Sequence, residues 1–198
     1  MSGIPLQNQA AEEDRKLLDS FSRGNEKAFD DLVKKYRDLI FNLCYRYLGD
    51  YDEADECAQE VFIKMYHGIA GFRMESALST WLYRVAVNAC KNRISAKKTR
   101  RKYVAEPARD SGNPGLDTRG DSSFDPAGVF ENNERQMLIR KAIETLPPAE
   151  RLMIILKDME GRTYGEIEEI TGIKEGTVKS TLARTRKKMR ILLKDIFP

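Results

Sequence analysis

The sequence predicts an all-α protein made of two small helical domains that are joined by a flexible acidic linker. Apolar residues recur three and four positions apart in the segments long enough to form helices, which is the pattern of a helix packed on one face. No segment shows the two-residue alternation that is typical of a half-buried strand. A central stretch, 105–128, is rich in proline, glycine and serine and carries net negative charge, so it separates the two helical parts.

The composition fits a helical protein whose charges are sorted along the chain. Its 198 residues are 41% apolar and 33% charged, with a formal net charge of only +3. Residues 91–102 hold seven basic groups and no acid, and 174–194 hold eight basic groups and one acid. Residues 50–60 hold six acids and no base. We therefore expect two contacts with a polyanion and one with a more basic partner.

The first domain is predicted to hold four helices, which we place at 12–22, 26–48, 52–69 and 81–97. In the second domain one helix is striped by Leu138–Leu146 and ends at Pro147-Pro148. The next is striped by Leu152, Ile155, Leu156 and Met159 and ends at Gly161.

The stretch 163–190 has the pattern of a helix-turn-helix. Thr163 and Glu166 have capping-box spacing, and Gly172 allows a sharp exit from the first helix. The second helix is apolar along one side and carries lysine and arginine over most of the rest. Helix-turn-helix proteins place such a second helix in the major groove of DNA. The alternative is an amphipathic helix whose basic side is simply solvated.

The acidic helix over 52–69 places Ile63 among polar residues on its exposed side, next to Gln59 and Glu60. This arrangement predicts a protein-docking surface, although a single exposed isoleucine is also common without one.

A polar stripe is predicted on the fourth helix, after a loop that carries Phe72 and Arg73. The stripe consists of Arg84, Asn88, Lys91, Asn92 and Ser95. Asparagine amides hydrogen-bond to base edges, so the stripe favours nucleic-acid reading. Phe72 is a candidate for stacking on a base, whereas Trp81 is expected in the core.

The sequence contains no enzyme motif that we can identify, no signal peptide and no apolar run long enough to span a membrane, so we expect a cytoplasmic protein without a cofactor. The cysteines at 44, 57 and 90 are far apart in sequence and lack CxxC spacing. We therefore expect three buried free thiols and no metal site.

Three runs together resemble the extracytoplasmic-function (group 4) sigma factors of bacterial RNA polymerase. They are ADECAQEVFIKMY, SALSTWLYRVAVNACKNRISAKKTRR and the segment from LPPAERLMIILKDMEGRTYGEIEEI to TGIKEGTVKSTLARTRKKM. The resemblance implies sigma region 2 at 13–103, a linker at 104–129 and region 4 at 130–198. It implies a non-catalytic subunit that binds core polymerase at the β′ clamp helices and the β flap, contacts promoter DNA, and is held inactive by an anti-sigma factor, often in a stress response.

The resemblance also implies roles for individual residues. Polymerase binding falls on Asp55, Glu56, Gln59, Glu60 and Ile63. Reading of the −10 element falls on Phe72, Arg73, Ser76, Arg84, Asn88, Lys91 and Asn92. Reading of the −35 element falls on Lys174, Glu175, Thr177, Lys179, Ser180, Thr181, Arg184 and Arg186. The linker would thread through the polymerase as a mimic of nucleic acid.

This sequence departs from the family pattern in region 4. Glu168 stands where an alanine is usual, Lys174-Glu175 replaces a common proline-valine pair, and Thr181 stands where an arginine often contacts DNA. A stand-alone DNA-binding regulator is the main alternative, but it leaves the acidic helix and the asparagine stripe without a use. A recombinase fragment would need a catalytic serine or tyrosine among arginines, which we do not find.

Overall fold

The structure is a computed structural model that describes residues 6–72, 74–103 and 136–194, with only the backbone for 6–9, 70 and 101–103. The predicted linker at 104–129 lies outside the described residues, as does Arg73. The chain forms two compact units, which are described separately below. None of the described residues forms a strand, so the predicted all-α class is confirmed.

The first unit contains four α-helices and a short 3₁₀ turn, Ile69–Gly71. The helices are α1 Leu6–Ser22, α2 Glu26–Leu48, α3 Tyr51–Gly68 and α4 Leu78–Tyr103. The second unit contains α5 at 136–144, α6 Pro148–Ile154 with a π-helical turn Ile155–Met159, α7 Tyr164–Thr171 and α8 Glu175–Leu192.

The core of the first unit lies where α2, α3 and α4 pack against one another. The apolar positions that predicted these helices fill it, among them Leu32 and Ile40 of α2, Val61 of α3 and Leu82 of α4. Gly49 ends α2 in the left-handed conformation at φ 78°. Asp50 then begins α3, because its side chain accepts a hydrogen bond from the backbone N–H of Glu53.

Helix α1 is attached to α2 by a buried polar contact. Asp14 is buried and accepts a hydrogen bond of 2.5 Å from the Tyr36 hydroxyl. It also forms an ion pair of 2.8 Å with Lys35. A buried carboxylate needs such partners, since an unpaired one costs several kcal/mol, on the order of 3–5. The contact therefore specifies how α1 lies on α2.

In the second unit α6 packs against α8, and the segment from Leu152 to Leu156, which includes the start of the π-helical turn, is buried on all sides. Pro148 occupies the first turn of α6, where a missing N–H costs little. The predicted helix end at Pro147-Pro148 was thus wrong by a few residues: α5 ends at 144, and Pro148 begins the next helix. Met159, predicted to face inward, is 41% exposed because the π-helical turn shifts the helical register.

No helix among the described residues combines the length and apolar character that crossing a membrane requires.

Candidate DNA-binding and protein-binding surfaces

Helix α3 presents two different stripes of side chains to the surface. Asp55, Gln59 and Ile63 are four residues apart and exposed, and the Gln59 amide donates a hydrogen bond of 2.8 Å to Asp55. Ile63 is 59% exposed, as its position in the sequence predicted. Glu56 and Glu60 lie one position further along and follow the side of α3 that meets α4.

The stripe of Asp55, Gln59 and Ile63 forms one wall of a groove between α2 and α3. The groove has a volume of about 780 Å³. Its apolar lining includes Val33, Phe41, Tyr51 and Phe62. Phe41 and Tyr51 meet edge to face with ring centroids 5.2 Å apart, which shapes the groove. An apolar floor with polar groups at the edge is the usual composition of a protein-binding surface.

The stripe of Glu56 and Glu60 is paired with basic side chains of the same unit. Arg93 of α4 lies 2.9 Å from Glu56 and 3.5 Å from Glu60, and Lys64 lies 2.6 Å from Glu60. The hydrogen bond from Lys64, supported by Arg93, lowers the pKa of Glu60 despite its partial burial. Much of the acidic charge predicted to attract a basic partner is therefore balanced internally.

A further pair, Lys97 with Glu53 at 2.6 Å, continues this connection between α3 and α4. Arg93 and Lys97 were predicted only as members of a basic run, and their pairing with α3 was not predicted. The signal was present in the spacing: Arg93 and Lys97 are one helical turn apart, as are the acids of α3 that they meet.

The asparagine stripe of α4 is open to solvent. Arg84, Asn88 and Asn92 are exposed at successive helical turns, and Lys91 is half-buried beside them. None of the three exposed side chains forms a hydrogen bond or ion pair with another described residue. Their donors and acceptors are therefore available to a ligand, which distinguishes them from Arg93 on the same helix.

The loop before α4 is held close to the helix by aromatic packing. The Phe72 ring lies 5.6 Å from the Trp81 ring, so Phe72 is half-buried, and Trp81, which we expected in the core, is half-buried as well. Gly68 permits this arrangement, because a Cβ there would lie 3.3 Å from the Trp81 ring. Met74 adopts a left-handed φ of 55°, which is strained for a residue with a side chain. Ser76 is half-buried in the same loop.

The helix-turn-helix is built as predicted. Thr163 and Glu166 form the full capping box: the Thr163 side chain accepts from the Glu166 N–H, and the Glu166 carboxylate accepts from the Thr163 N–H. Gly172 ends α7 in the left-handed conformation at φ 72°. The Glu168 carboxylate accepts a hydrogen bond of 3.0 Å from the backbone N–H of Glu175. Glu168 therefore satisfies a free donor at the start of α8, where a negative charge is also favoured by the helix dipole.

The predicted DNA-contacting residues of α8 fall into two groups: exposed residues that make no ion pair with another described residue, and residues that are held in an ion pair. Thr177, Ser180 and Arg184 are exposed along one side, and Lys174 is exposed just before the helix. Thr181 is half-buried. Lys179 is paired with Glu175 at 2.8 Å and lies 5.0 Å from the Tyr164 ring.

Arg186 also belongs to the second group, and together with Lys188, which was not a predicted DNA contact, it ties α8 to α6 and its π-helical turn. The Arg186 guanidinium makes a two-pronged ion pair with Asp158, with its Nε 3.0 Å from the carboxylate. Lys188 contacts Glu150 at 2.7 Å. The basic side of α8 is thus partly a means of packing the helix, which the count of its charges did not reveal.

The three cysteines are buried free thiols, as predicted. Their spacing in the sequence gave no sign of a cluster, yet the structure brings all three sulfur atoms within 4.8 Å of one another.

Both units match described protein families. Residues 32–100 match the family model for sigma-70 region 2, and residues 136–189 match the model for sigma-70 region 4. The extracytoplasmic-function sigma factor SigW of Bacillus subtilis is 37% identical over 92% of this chain and 97% of its own length. The sigma-E factor of Escherichia coli K12 is 34% identical over 87% of this chain and 90% of its own.

Two solved structures share the fold. The sigma factor RpoE of Bartonella quintana, solved in complex with the anti-sigma factor NepR, has a TM-score of 0.69 at 22% identity and covers 85% of this chain and 98% of its own. CnrH, solved with the cytosolic domain of CnrY, has a TM-score of 0.64 at 19% identity over 92% and 98% of the two chains. From its sequence relatives and its two family matches, this chain belongs to the extracytoplasmic-function sigma factors of RNA polymerase.

Proposed function

We propose that this protein is a promoter-specificity subunit that binds core RNA polymerase and directs initiation by contacting the −10 and −35 elements. The observation that carries the proposal is the pairing state of the polar side chains. Within the described part of the chain, three surfaces keep polar groups that no other helix engages, or open apolar area, namely the groove on α3, the stripe on α4 and one side of α8. We assign these surfaces to region 2 at 13–103 and region 4 at 130–198, with the linker at 104–129.

The groove between α2 and α3 is the proposed docking site for the β′ clamp helices. Ile63 supplies exposed apolar area at its edge, and Asp55 and Gln59 supply polar groups at the rim. An apolar side chain surrounded by polar groups is the usual arrangement of an interface anchor. Glu56 and Glu60 are assigned a supporting part, since both are already engaged by Arg93. We assign contact with the β flap to region 4.

The stripe on α4 is the proposed reader of the −10 element. Asn88 and Asn92 present amides, which pair with base edges, and Arg84 and Lys91 present charges suited to phosphates. The adjoining loop, with Phe72, Arg73 and Ser76, would hold a base of the opened strand. The strain at Met74 supports a functional role for this loop, because strained backbone tends to persist at binding sites.

The exposed side of α8 is the proposed reader of the −35 element. Thr177, Ser180 and Arg184 would reach base edges from the N-terminal half of the helix, which is the half that helix-turn-helix proteins insert in the major groove. Lys174, Glu175, Lys179, Thr181 and Arg186 complete the proposed contact region. We assign Lys179 and Arg186 a smaller part than Arg184, because each is held by a neighbouring carboxylate.

The protein is proposed to act in the cytoplasm without catalytic activity of its own, under the control of an anti-sigma factor. Its relatives are named as polymerase sigma factors, and the neighbour RpoE was solved with an anti-sigma protein. We expect the anti-sigma factor to cover the α3 groove, since blocking it would prevent polymerase binding.

Run-off transcription with purified core polymerase tests the proposal. The −10 and −35 sequences are first selected from a randomised promoter library. We then expect promoter-specific transcripts that depend on both elements. The variant Ile63→Ala should weaken binding to the β′ clamp helices, whereas Ile191→Ala, which alters a similarly exposed isoleucine of region 4, should not. DNA binding without initiation would contradict the proposal and favour a stand-alone regulator.

A further inference from the structure

Three helices of the first unit each contribute one cysteine to a single buried cluster. Cys44 comes from α2, Cys57 from α3 and Cys90 from α4, and each is 0% exposed. The three sulfur atoms lie within 4.8 Å of one another, and those of Cys57 and Cys90 are 3.6 Å apart. These are contacts between thiols and not disulfide bonds, since a disulfide bond is about 2.05 Å long.

The spacing of the sulfur atoms suits one metal ion bound by three thiolates. Three sulfurs that each lie about 2.3 Å from a central ion in one plane, the distance for zinc, stand about 4.0 Å from each other, and a larger ion holds them somewhat further apart. The Cys57–Cys90 separation is 3.6 Å and none of the three separations exceeds 4.8 Å, so the cluster has the size that such a site requires. Small rotations of the side chains would therefore complete the site without moving the helices apart.

Metal binding requires the ionised form of each cysteine, because the thiolate is the form that binds metals.

The ligand set indicates which kind of ion fits. Among the described residues, no histidine, carboxylate or further cysteine joins the three sulfurs as a fourth ligand, whereas structural zinc takes four ligands. Thiolate sulfur selects soft ions. A divalent ion bound by three thiolates leaves one negative charge. A monovalent ion would leave two negative charges, whose burial costs more free energy.

We propose that Cys44, Cys57 and Cys90 form a binding site for one soft divalent metal ion that accepts three sulfur ligands, such as cadmium. Three S–H bonds break, three metal–sulfur bonds form and three protons are released, with no change of oxidation state. Since the cysteines are fully buried, the ion enters only when the helices open locally.

Occupancy of this site would act on the helices that carry two of the proposed surfaces. Helix α3 carries the groove, and α4 carries the asparagine stripe. An ion held by α2, α3 and α4 ties these helices together and opposes their local opening. The site therefore connects metal binding to the stability of the part of the chain proposed to bind polymerase and the −10 element.

The experiment uses the full chain, reduced and freed of metal, with cadmium chloride as the probe. Native mass spectrometry should show one cadmium per chain at a mass that corresponds to the loss of three protons. X-ray absorption of the wild-type complex should show three sulfur neighbours, and this measurement needs no variant. Oxygen or nitrogen neighbours in their place would overturn the proposal.

Variants test the ligands one at a time. Each of Cys44→Ser, Cys57→Ser and Cys90→Ser should weaken cadmium binding by more than the roughly 10–100-fold that follows loss of a supporting group at a metal site. His67→Ala, which removes the single histidine, should leave it unchanged. Unchanged binding in a well-folded cysteine variant would contradict the assignment. Tighter binding of zinc or copper(I) than of cadmium would overturn the choice of a soft divalent ion.

Discussion

The two proposed DNA-binding helices differ in how much of their polar surface is already engaged within the protein. Within the residues that the structure describes, the groups of α4 proposed to contact DNA are unpaired, and the engaged base Arg93 lies on the side that meets α3. On α8 the free residue Arg184 alternates with the paired residues Lys179 and Arg186. A count of basic residues therefore overstates the DNA-binding capacity of α8 more than that of α4.

The physical reason lies in the number of helices that surround each one. In the first unit the acids of α3 take up the basic side chains on one side of α4 and leave the opposite stripe free. In the smaller second unit, α8 must also fasten itself to α6 and the π-helical turn, and it uses basic side chains to do so.

We expect Asn88→Ala to cause the largest loss of sequence discrimination. Loss of a base-edge contact costs about 1–3 kcal/mol, because the amide that distinguishes the correct base is gone. Run-off transcription from promoters with single changes in the −10 element would measure this loss, while polymerase binding stays intact. Asn42→Ala, at an exposed asparagine of α2, is the matched control. A variant Asn88→Ala that ranks the promoters as the wild type does would show that α4 has been assigned wrongly.

Arg184→Ala should weaken binding to a −35 duplex more than Arg186→Ala does. A free arginine on a base edge contributes roughly 1–3 kcal/mol, whereas Arg186 is shared with Asp158. Fluorescence anisotropy with −35 DNA at several salt concentrations would compare the two variants.

Asp158→Asn provides the complementary test of α8. Release of Arg186 should make the salt dependence of binding steeper, by about one unit if the arginine takes up one more phosphate. Equal losses in the two arginine variants, together with no effect of Asp158→Asn, would remove the proposed difference between α4 and α8.

Thr163→Ala and Asp50→Ala should each destabilise their own unit by about 1 kcal/mol, because each removes a helix cap. Hydrogen exchange resolved by region would show faster exchange in α7 for the first variant and in α3 for the second. Faster exchange throughout the chain in either variant would indicate that the two units do not unfold independently.

The smallest expected effect is on the stability of the second unit at low pH. Burial by itself would raise the pKa of Glu166, but hydrogen bonds from the Thr163 backbone and hydroxyl and from Arg162 hold this pKa below its usual value. The ionised form is therefore stabilised by folding, so the contribution is complete above the unfolded pKa and is lost as the pH falls through the folded pKa. We expect less than about 1 kcal/mol for this partly exposed group.

Glu166→Gln should remove this acid sensitivity from the second unit. The measurement is the pH dependence of hydrogen exchange in α7 and α8, compared between this variant and the wild type. Glu169→Gln, at an exposed position of the same helix, serves as the control. An identical pH dependence in the wild type and in Glu166→Gln would contradict the assignment.

The sequence predicted the all-α class, and most of the helices, because those features depend on neighbouring residues. Apolar spacing predicted α2 and α3 to within one or two residues, and α7 was recognised from Thr163, Glu166 and Gly172. The π-helical turn after α6 was missed, since nothing in the local pattern of apolar residues distinguishes it from a regular helix. Met159 was therefore assigned to the wrong side.

Side-chain pairing between helices could not be predicted from the sequence, for a different reason. Periodicity tells which side of a helix is buried, but not which helix it meets or at what height. The pairs Arg93–Glu56 and Lys188–Glu150 join residues 37 and 38 positions apart and depend on that register. The free asparagines and the engaged arginine of α4 look alike in sequence, and only the packing of α3 separates them.

By itself, then, the sequence determined the helical class, the helix-turn-helix and the family of this protein, because these follow from local spacing and from recognisable runs of residues. The tertiary structure alone decided which polar groups remain available and where the cysteines lie. Cys44, Cys57 and Cys90 are far apart in the chain and meet only because α2, α3 and α4 pack in one register, which brings three sulfur atoms to one point in the core.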